Sequence, residues 1–316
     1  MVETEQGLAS GADVKGWIEQ LCAQRGGSWS IDFESLEPLI DSSCATPLQW
    51  QRIVDLLKAS RNQADAFVVL HGTDTLAYTA AALSYALVGF GKPLVITGSQ
   101  LPIGFERSDA PRNASDALLA AEKAVIADPD AVIVAFGGRL FQGNTITKVS
   151  STDFCAFDGK DWDASSPSRP REIAFDEPKP YRRFDIAAID VVPGMSENRF
   201  ARLLALPPHA LILRAYGSGN FSIDDRNLCE SLSELSRLGV PIVIGTQCAI
   251  GGVSVGRYAA SSLFKEIGAI SARDMTFDAC YAKAVFLLSQ DLSSEEFSFA
   301  MEHSIAGELT ATNQFE

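Results

Sequence analysis

The sequence has little of what several common kinds of site require. Its 316 residues include three histidines, and its six cysteines are scattered, with no Cys-x-x-Cys pair among them. We therefore expect no metal site, because structural zinc needs clustered cysteine and histidine ligands. Unpaired cysteines suit a reducing compartment, so we predict a cytoplasmic protein.

Basic residues are also few. Lys and Arg number 26 against 40 Asp and Glu, which gives a formal net charge of -14. Such a field repels phosphate, so we expect neither nucleic acid nor an anionic membrane as partner. No apolar run reaches the ~18 residues of a membrane span. The opening MVETEQGLAS lacks the basic and apolar regions of a signal peptide.

Motifs for several well-known chemistries are missing. No G-x-G-x-x-G or G-x-x-x-x-G-K-[ST] follows an expected strand, so no loop for cradling phosphates is predicted. The one G-x-S-x-G string, GVSVG at residues 252–256, does not directly follow an expected strand, so no nucleophile elbow is predicted. No histidine is placed to act as the base of a Ser-His-Asp triad. A small-molecule site of another kind remains.

What is present is a repeated order of apolar strand, polar loop and amphipathic helix. Continuous apolar runs such as FVVL, PLVI and AVIVA indicate parallel sheets covered on both faces. The alternation of strands and helices is interrupted in DWDASSPSRPREIAFDEPKPYRRF, where prolines and charged residues occur without helical or strand periodicity. We predict an α/β protein with a larger N-terminal domain (residues 1–172), a linker (173–185) and a smaller C-terminal domain (186–316), each a parallel sheet with flanking helices.

Helix ends carry their own signals. Thr46-Pro47-Leu48-Gln49 predicts an N-cap with a capping box, and Ser293-Ser294-Glu295-Glu296 predicts a second one. The stretch DRNLCESLSELSRLG is typical of a helix that ends at Gly239.

Candidate ligand-binding residues follow the expected strands, because ligands of open α/β sheets bind at the carboxyl ends of strands. Hydroxyls and amide dipoles dominate, with two carboxylates, which suits a small polar zwitterion. The candidates are Asp41-Ser42-Ser43 after EPLI, His71-Gly72-Thr73-Asp74-Thr75 after FVVL, Thr97-Gly98-Ser99-Gln100 after LVI, and Tyr216-Gly217-Ser218-Gly219-Asn220 after LILRA.

Thr73, Asp74 and Lys148 form a candidate catalytic set. Thr73 and Asp74 are adjacent at a strand-to-helix turn, and Lys148 follows a later expected strand. A partly desolvated lysine can lose its proton and act as base for a hydroxyl. The competing interpretations are ordinary: a helix N-cap for Thr73, Asp74 or Thr75, and a surface lysine for Lys148.

Other candidates also have ordinary explanations. Ser42 and Ser43 are typical turn residues before a helix that begins with proline. His71 fits a hydrogen-bonded core or supporting imidazole better than a base. The Gly217-Ser218-Gly219 run is typical of a tight turn.

Several motifs together resemble the type I branch of the asparaginase/glutaminase superfamily. HGTDTLAYTAAAL is similar to that family's second signature, and the other similar strings come in the family's order from Glu5 to Thr310. They are PLIDSSCATPLQW, GKPLVITGSQLP, RSDAPRN, GNTITK, ILRAYGSGN, TQC and ARDMTFDACYAK.

The resemblance implies hydrolysis of L-asparagine to L-aspartate and ammonia, without metal or cofactor. It implies that Thr73, Lys148 and Asp74 handle protons, and that Asp41, Ser42 and Ser43 hold the substrate's α-amino and α-carboxyl groups together with Asp74.

Two further implications concern assembly and regulation. Asn220 lies in a loop that some relatives insert into a neighbour's active site, which implies a homodimer or homotetramer. Arg214, Thr246 and Cys248 match residues of a second, allosteric asparagine site in some relatives. The ordinary interpretation of Cys248 is a small buried side chain.

One motif of the family has no match. The family begins with a strand ending in TGGTIG, whose first threonine attacks the amide, and no TGGT occurs in this sequence. The start, MVETEQGLAS, matches the flexible segment that follows that motif, and Thr4 lacks the strand and the glycines. We expect a start site upstream in the natural protein, and little or no activity from a chain without the nucleophile.

Two alternatives stay open. One is the amidase subunit of a tRNA-dependent amidotransferase, which shares these motifs but normally carries an additional β-barrel. The other is an asparagine sensor that binds without hydrolysis. The sequence does not decide between asparagine and glutamine, because they differ by one methylene.

Overall fold

The computed structural model describes residues 2–4, 7–9, 14–25, 29–165, 171–195, 198–221, 226–254 and 262–310. The chain divides into two compact units, Met1–Ser168 and Arg169–Glu316. The segment 173–185, predicted as a linker, contains no helix or strand and lies in the second unit.

The N-terminal unit contains a four-stranded sheet, two short hairpins and the helices that flank them. Its strands are β1 (Val2–Thr4), β2 (Gly7–Ala9), β3 (Phe67–Leu70), β4 (Leu94–Thr97), β5 (Val132–Phe136), β6 (Arg139–Gln142), β7 (Thr147–Lys148) and β8 (Phe157–Asp158). Its helices are α1 (Val14–Arg25), the 3-10 helix η1 (Ser42–Cys44), α2 (Pro47–Ser60), α3 (Leu76–Ala86) and α4 (Ala110–Ala127).

The C-terminal unit is built on one parallel sheet. Its strands are β9 (Ile186–Asp190), β10 (Ala210–Ala215), β11 (Ile242–Thr246) and β12 (Ile270–Ser271), in the order β12-β11-β10-β9. Its helices are α5 (Asn198–Ala205), α6 (Arg226–Arg237), α7 (Ser262–Glu266), α8 (Phe277–Ser289) and α9 (Ser294–Glu302).

The large N-terminal sheet brings several loops to one edge. β3, β4 and β5 are parallel in the order β3-β4-β5, and β6 joins antiparallel beside β5. Leu70 pairs with Thr97 and Thr97 with Ala135, so the residues after each strand emerge side by side. This confirms the predicted parallel sheet and sets the loops after β3 and β4 next to each other.

Small residues let the helices pack closely on this sheet. Helix α4 presents Ala117, Ala120, Ala121 and Ala124 to the core it shares with β4 and β5. Helix α3 is buried along nearly its whole length, which explains why its sequence has no polar face. The apolar strands predicted from sequence are therefore covered, as parallel sheets require.

The predicted helix ends are confirmed. The Gln49 carboxamide accepts from the backbone N–H of Thr46 at 2.9 Å, and Glu296 accepts from that of Ser293 at 2.8 Å. Gly239 ends α6 with φ +80°, and the N–H of Val240 donates to Leu235 O at 3.1 Å, which is the Schellman bond.

One expectation about the N-terminal part needs correction. EPLI was expected to be a strand before Asp41, but residues 29–41 form no strand. Pro38 has no N–H to give to a sheet ladder, which explains the loss. At the chain start, described there by backbone alone, β1 and β2 pair antiparallel from Val2 with Ala9 to Thr4 with Gly7.

Candidate active site

The structure brings Thr73, Asp74 and Lys148 together. Lys148 Nζ donates to Thr73 Oγ1 at 2.9 Å and to Asp74 Oδ1 at 2.8 Å. The side chain of Asp74 is 60% exposed and that of Lys148 21% exposed, so solvent reaches the carboxylate while most of the lysine is covered. A hydroxyl, an amine and a carboxylate within hydrogen-bonding distance form a path along which a proton can move.

Lys148 reaches this place from within a strand. It was expected to follow a strand, but it lies in β7, where it pairs with Phe157 of β8. Pairing on one side of the hairpin holds its backbone, and the long side chain spans the remaining distance to the loop after β3. The separation in sequence is 75 residues, so only the tertiary fold makes this contact.

The helix-capping explanation for the HGTDT loop does not account for its contacts. Thr75 occupies the N-cap of α3 but makes no side-chain cap hydrogen bond. Its Oγ1 instead donates to the carbonyl of Ser42 at 2.7 Å. Thr75 therefore ties the loop after β3 to η1, while Thr73 and Asp74 bond to Lys148.

Asp41, Ser42 and Ser43 form a compact turn beside this loop. Asp41 Oδ1 accepts from both the backbone N–H and the hydroxyl of Ser43, each at 2.9 Å. Ser42 is buried, and a Cβ at Gly72 would lie 2.5 Å from its Oγ. Glycine at position 72 thus permits the close approach of this turn to the HGTDT loop.

Sequence reasoning missed the residues that hold the loop after β4. Asp109 accepts from the backbone N–H groups of Gln100 and Leu101, each at 3.0 Å. Asn113 donates to Gly98 O at 2.9 Å and accepts from Gly137 N–H at 3.1 Å. The available signal was a polar residue on the alanine face of α4, where Asn113 is 1% exposed.

His71 supports the loop as a hydrogen-bonded imidazole, which confirms the prediction from sequence. Its Nδ1 lies 2.7 Å from Gly72 O and its Nε2 lies 3.0 Å from Thr79 Oγ1. Burial lowers the pKa of His71 below its ordinary value, and the hydrogen bond to Gly72 raises it by less. The ring is therefore neutral near pH 7.

Arg214 and Asn220 belong to the C-terminal unit. Arg214 Nη1 lies 3.1 Å from Asp190 Oδ1, and the guanidinium lies 5.1 Å from the ring centroid of Phe277. Backbone groups of Tyr216 and Asn220 bond to each other, which makes the predicted tight turn. Within the described chain, Arg214 Nε and Asn220 Oδ1 are buried atoms without a hydrogen-bond partner.

Thr246 and Cys248 lie at the end of β11 in the same unit. Thr246 Oγ1 donates to Gly217 O at 2.6 Å and accepts from the N–H of Cys248 at 3.0 Å. Cys248 is exposed, so the alternative that it is a small buried side chain is wrong. The hydroxyl of Thr246 joins the loops after β10 and β11, so their positions depend on each other.

Two features are absent from the described residues. No group of three or more His, Cys, Asp or Glu side chains there could hold a metal ion. No helix in the described ranges combines the length and apolar character of a membrane span.

Comparisons with known proteins identify the family. Residues 1–178 match the family described as "Asparaginase, N-terminal", and residues 185–301 match the "Glutaminase/Asparaginase C-terminal domain". L-asparaginase 1 of Escherichia coli K12 is 37% identical over 291 residues, which cover 86% of this chain and 83% of that protein.

Solved structures give the same result for the fold. The thermostable L-asparaginase of Thermococcus kodakarensis superposes with a TM-score of 0.84 at 30% identity, covering 98% of this chain and 96% of its own. L-asparaginase I of Vibrio cholerae superposes with a TM-score of 0.80 at 32% identity, covering 98% and 95%. The chain therefore belongs to the asparaginase family of amidohydrolases, in its type I branch.

Proposed function

We propose that this protein hydrolyses L-asparagine to L-aspartate and ammonia, and that Thr73, Lys148 and Asp74 move the protons. The observation that supports the proposal most directly is the pair of hydrogen bonds from Lys148 Nζ to Thr73 Oγ1 and Asp74 Oδ1, at 2.9 and 2.8 Å. In the net reaction the amide C–N bond breaks and a C–O bond to the oxygen of water forms. The set takes a proton from the attacking oxygen and delivers one to the leaving nitrogen.

Each member has a separate task in this proposal. Lys148 exchanges protons with the Thr73 hydroxyl, to which it is hydrogen-bonded, and the carboxylate of Asp74 stabilises the ammonium form of the lysine. The oxygen of Thr73 then serves as the relay closest to the substrate. Asp74 has a second task, because its exposed carboxylate also attracts the substrate's α-ammonium group.

The turn at Asp41, Ser42 and Ser43 is the proposed substrate cradle. An α-amino acid presents one ammonium and one carboxylate on a single carbon, so its site needs an acceptor and a donor close together. Asp41 supplies the carboxylate, and Ser43 supplies a hydroxyl and an N–H that now bond to it. Substrate binding would exchange the Ser43–Asp41 hydrogen bonds for bonds to the amino acid.

Assembly and location are proposed in keeping with the family. We propose a homodimer or homotetramer in the cytoplasm, in which Asn220 contributes to a neighbouring site. The buried Asn220 Oδ1 without a partner in the described chain is an acceptor available for such a contact. The six cysteines, all within the described residues, are unpaired, which suits a reducing compartment. Sedimentation velocity and cell fractionation test these proposals.

We also propose a second asparagine site at Arg214, Thr246 and Cys248. The support is the Nε of Arg214, which has no hydrogen-bond partner among the described residues, although Nη1 of the same guanidinium is paired with Asp190. Thr246 holds Cys248 in place through its hydroxyl. Substituting Arg214→Met should remove any sigmoidal dependence of the rate on asparagine and leave a hyperbolic one.

An asparagine-binding protein without catalysis is the second candidate. It differs from the enzyme in having no nucleophilic threonine, which the family carries in a TGGT motif. On this alternative the cradle at Asp41–Ser43 and the carboxylate of Asp74 bind asparagine, and the proton-handling set has no nucleophile to serve.

One preparation distinguishes the two candidates. Calorimetry with L-asparagine measures binding, and chromatography of aspartate over hours measures hydrolysis at any rate. Binding with release of aspartate and ammonia supports the enzyme, and binding of intact asparagine supports the sensor. Absence of both would contradict the proposed function. Glutamine in a parallel titration measures the preference between the two amides.

A further inference from the structure

The backbone of His71 is fixed at the carboxyl end of β3. Its N–H donates to Thr97 O at 2.8 Å, which extends the β3–β4 ladder by one bond. Its carbonyl lies against Gly98, where an added Cβ would be 2.2 Å from His71 O. The imidazole therefore leaves a rigid point of the sheet, immediately before the loop that carries Thr73 and Asp74.

The imidazole belongs to a chain of hydrogen bonds that begins in the core. Trp50 Nε1 donates to Thr79 Oγ1 at 3.2 Å, and Thr79 Oγ1 lies 3.0 Å from His71 Nε2. His71 Nδ1 lies 2.7 Å from the carbonyl of Gly72. Trp50 and Thr79 are 3% and 0% exposed, so solvent does not replace these partners.

Only one arrangement of protons satisfies this chain while the ring is neutral. The Gly72 carbonyl can only accept, so Nδ1 carries the hydrogen and Nε2 is an acceptor. The indole N–H of Trp50 can only donate, so the hydroxyl of Thr79 receives that bond and gives its own hydrogen to Nε2. The four groups are thus directional, from Trp50 through Thr79 and His71 to Gly72.

The last hydrogen bond of this series, from His71 Nδ1 to the carbonyl of Gly72, orients the peptide between Gly72 and Thr73. A trans peptide holds its C=O and N–H antiparallel, so fixing the carbonyl towards the imidazole directs the N–H of Thr73 away from it. The Thr73 hydroxyl meets Lys148 Nζ at 2.9 Å, and Asp74 follows in the chain. Rotation of this one peptide would move both groups relative to the lysine.

We propose that His71, as the Nδ1–H tautomer held by Thr79, is a positioning residue that sets the Gly72–Thr73 peptide and thereby the places of Thr73 and Asp74. His71 does not touch the proposed substrate and acts through Gly72. The expected effects of His71 on asparagine binding and on the rate of hydrolysis rest on the proposed function. The tautomer and the peptide orientation are independent of that function.

Two matched pairs of variants test the series of hydrogen bonds from Trp50 to Gly72. Thr79→Ser keeps the hydroxyl and Thr79→Val removes it at nearly the same volume. His71→Asn places an amide donor near the position of Nδ1, and His71→Gln places its amide near Nε2 and leaves Gly72 O without a donor. Ser84→Ala is the control, because Ser84 is another buried hydroxyl of α3, and it donates within the helix, to Ala80 O at 2.8 Å.

The expected results separate positioning from stability. Thr79→Val and His71→Gln should weaken asparagine binding about tenfold, as expected for one misplaced hydrogen-bonding group. Thr79→Ser, His71→Asn and Ser84→Ala should stay within about threefold of the unaltered protein, although His71→Asn lowers the unfolding midpoint by losing ring packing. Where hydrolysis is measurable, kcat should fall with binding in the first two variants.

Nitrogen-15 NMR of labelled histidine gives a readout that needs no substrate. With three histidines in the chain, the His71 ring should be assignable by comparison with His71→Asn. We expect a protonated Nδ1, an unprotonated Nε2 and no titration near the ordinary histidine pKa. In Thr79→Val the backbone amide resonances of Thr73 and Asp74 should shift or broaden, and in Thr79→Ser they should not.

Several outcomes would overturn the proposal. A His71 ring that is charged at pH 7, or that carries its hydrogen on Nε2, contradicts the directional chain. If the loss of asparagine affinity is proportional to the decrease in unfolding midpoint across all five variants, His71 contributes to stability and does not position Thr73 and Asp74. If the tautomer and the amide shifts agree but no asparagine binds, the positioning of Thr73 and Asp74 stands and the proposed function fails.

Discussion

The two units each contain a lysine paired with a carboxylate, in very different surroundings. Lys148 Nζ lies 2.8 Å from Asp74 Oδ1, and the two side chains are 21% and 60% exposed. Lys283 Nζ lies 2.6 Å from Glu308 Oε1, and both side chains are 0% exposed. The chemistry of the two pairs is the same, so the difference in their roles must come from their neighbours.

The buried pair has its hydrogen-bonding capacity used by the protein itself. Lys283 also donates to Met301 O at 3.0 Å and His303 O at 2.7 Å, which accounts for its three hydrogens. Glu308 accepts from the N–H groups of Ile305 and Ala306 at 3.0 and 2.8 Å. The pair therefore fastens the segment after α9 to α8 and has nothing left to offer a ligand.

Lys148 bonds to a hydroxyl, whereas Lys283 bonds to carbonyls. The hydroxyl beside the buried pair, that of Ser304, donates to Glu308 and not to the lysine. A carbonyl can only accept a hydrogen bond, whereas the hydroxyl of Thr73 can also give up its hydrogen. Asp74 faces solvent, so a substrate can reach it without opening the fold. An accessible lysine pair beside a hydroxyl is suited to moving protons, and a buried pair surrounded by carbonyls and N–H groups is suited to holding structure.

The largest expected effect comes from removing the lysine of the exposed pair. In a preparation that hydrolyses asparagine, Lys148→Met should lower the rate about 10²–10⁴-fold, because it deletes the group that exchanges protons with Thr73. Its effect on stability should stay below about 1 kcal/mol, since the pair is partly solvated. Aspartate release measures the first quantity, and urea unfolding followed by tryptophan fluorescence measures the second.

Fluorescence is a suitable probe for this variant. All four tryptophans, Trp17, Trp29, Trp50 and Trp162, belong to the N-terminal unit. A rate unchanged by Lys148→Met would contradict the proposed proton-handling set. A large shift of the fluorescence midpoint with the loss of activity would instead assign the lysine a structural role like that of Lys283.

Removing the lysine of the buried pair should act on stability. Lys283→Met leaves the carboxylate of Glu308 buried without its counter-charge, which costs about 3–5 kcal/mol in the free energy of unfolding. The double variant with Glu308→Gln should recover part of this loss, because no buried charge then remains. Circular dichroism in urea follows both units, and the change that it shows beyond that seen by tryptophan fluorescence belongs to the C-terminal unit, which contains no tryptophan.

The double variant makes the comparison stricter. Equal losses for Lys283→Met alone and for Lys283→Met with Glu308→Gln would mean that the uncompensated charge is not the cause. Hydrogen exchange at Ile305 and Ala306 gives local detail, because their N–H groups bond to Glu308. These amides should exchange faster in either variant.

Acid should weaken the buried pair in a defined range. Burial raises the pKa of Glu308, but Lys283 and the N–H groups of Ile305 and Ala306 lower it more, so the net shift is below the ordinary value. The folded state then holds the carboxylate more strongly than the unfolded state does. The stability that Glu308 contributes is present above its unfolded pKa of about 4.5 and is lost as pH falls through the folded value.

The measurement is the difference in unfolding free energy between the unaltered protein and Glu308→Gln. This difference should be constant from pH 7 to about 5.5 and should shrink below about 4.5. The other carboxylates cancel in it. Glu296→Gln serves as the matched control, since the exposed Glu296 caps α9 and should give a weaker dependence. A difference that grows on acidification would reverse the sign of the inferred shift.

The sequence predicted the sheet and most of the loop residues, because apolar strands and caps are local signals. The strands FVVL, LVIT and VIVAF have no competing pattern, and the loops after the first two hold Thr73, Asp74 and Gln100. EPLI failed as a strand because Pro38 cannot join a ladder. The contact of Lys148 with Thr73 joins residues far apart in the chain, so no periodicity could predict it; their positions next to expected strands suggested the set, and the family motifs strengthened it.

The supporting residues were the least predictable from sequence. Asp109 and Asn113 look like ordinary residues at a helix start, and their role appears only once α4 lies beneath the loop after β4. Thr79 likewise lies within an apolar helix, where a threonine carries no signal of its own. Such residues bond to neighbours that the fold supplies, so their function depends on the geometry and not on a local pattern.

A third lysine pair completes the series at its weak end. Lys92 Nζ lies 3.7 Å from Asp65 Oδ1, and the two side chains are 27% and 94% exposed. Lys92 precedes β4, so it lies at the opposite end of that strand from Thr97. Lys92→Met keeps the apolar stem of the side chain, so it should change the free energy of unfolding by less than about 0.5 kcal/mol and leave hydrolysis unaltered. Urea unfolding measures the free energy, and aspartate release measures the rate of hydrolysis.

A loss of unfolding free energy equal to that of Lys283→Met would mean that burial does not determine how much these pairs stabilise the fold. If Lys92→Met changes the free energy of unfolding only slightly and activity is lost only in Lys148→Met, two conclusions follow. Burial determines how much a lysine–carboxylate pair stabilises the fold, and the neighbouring hydroxyl determines whether the pair takes part in catalysis.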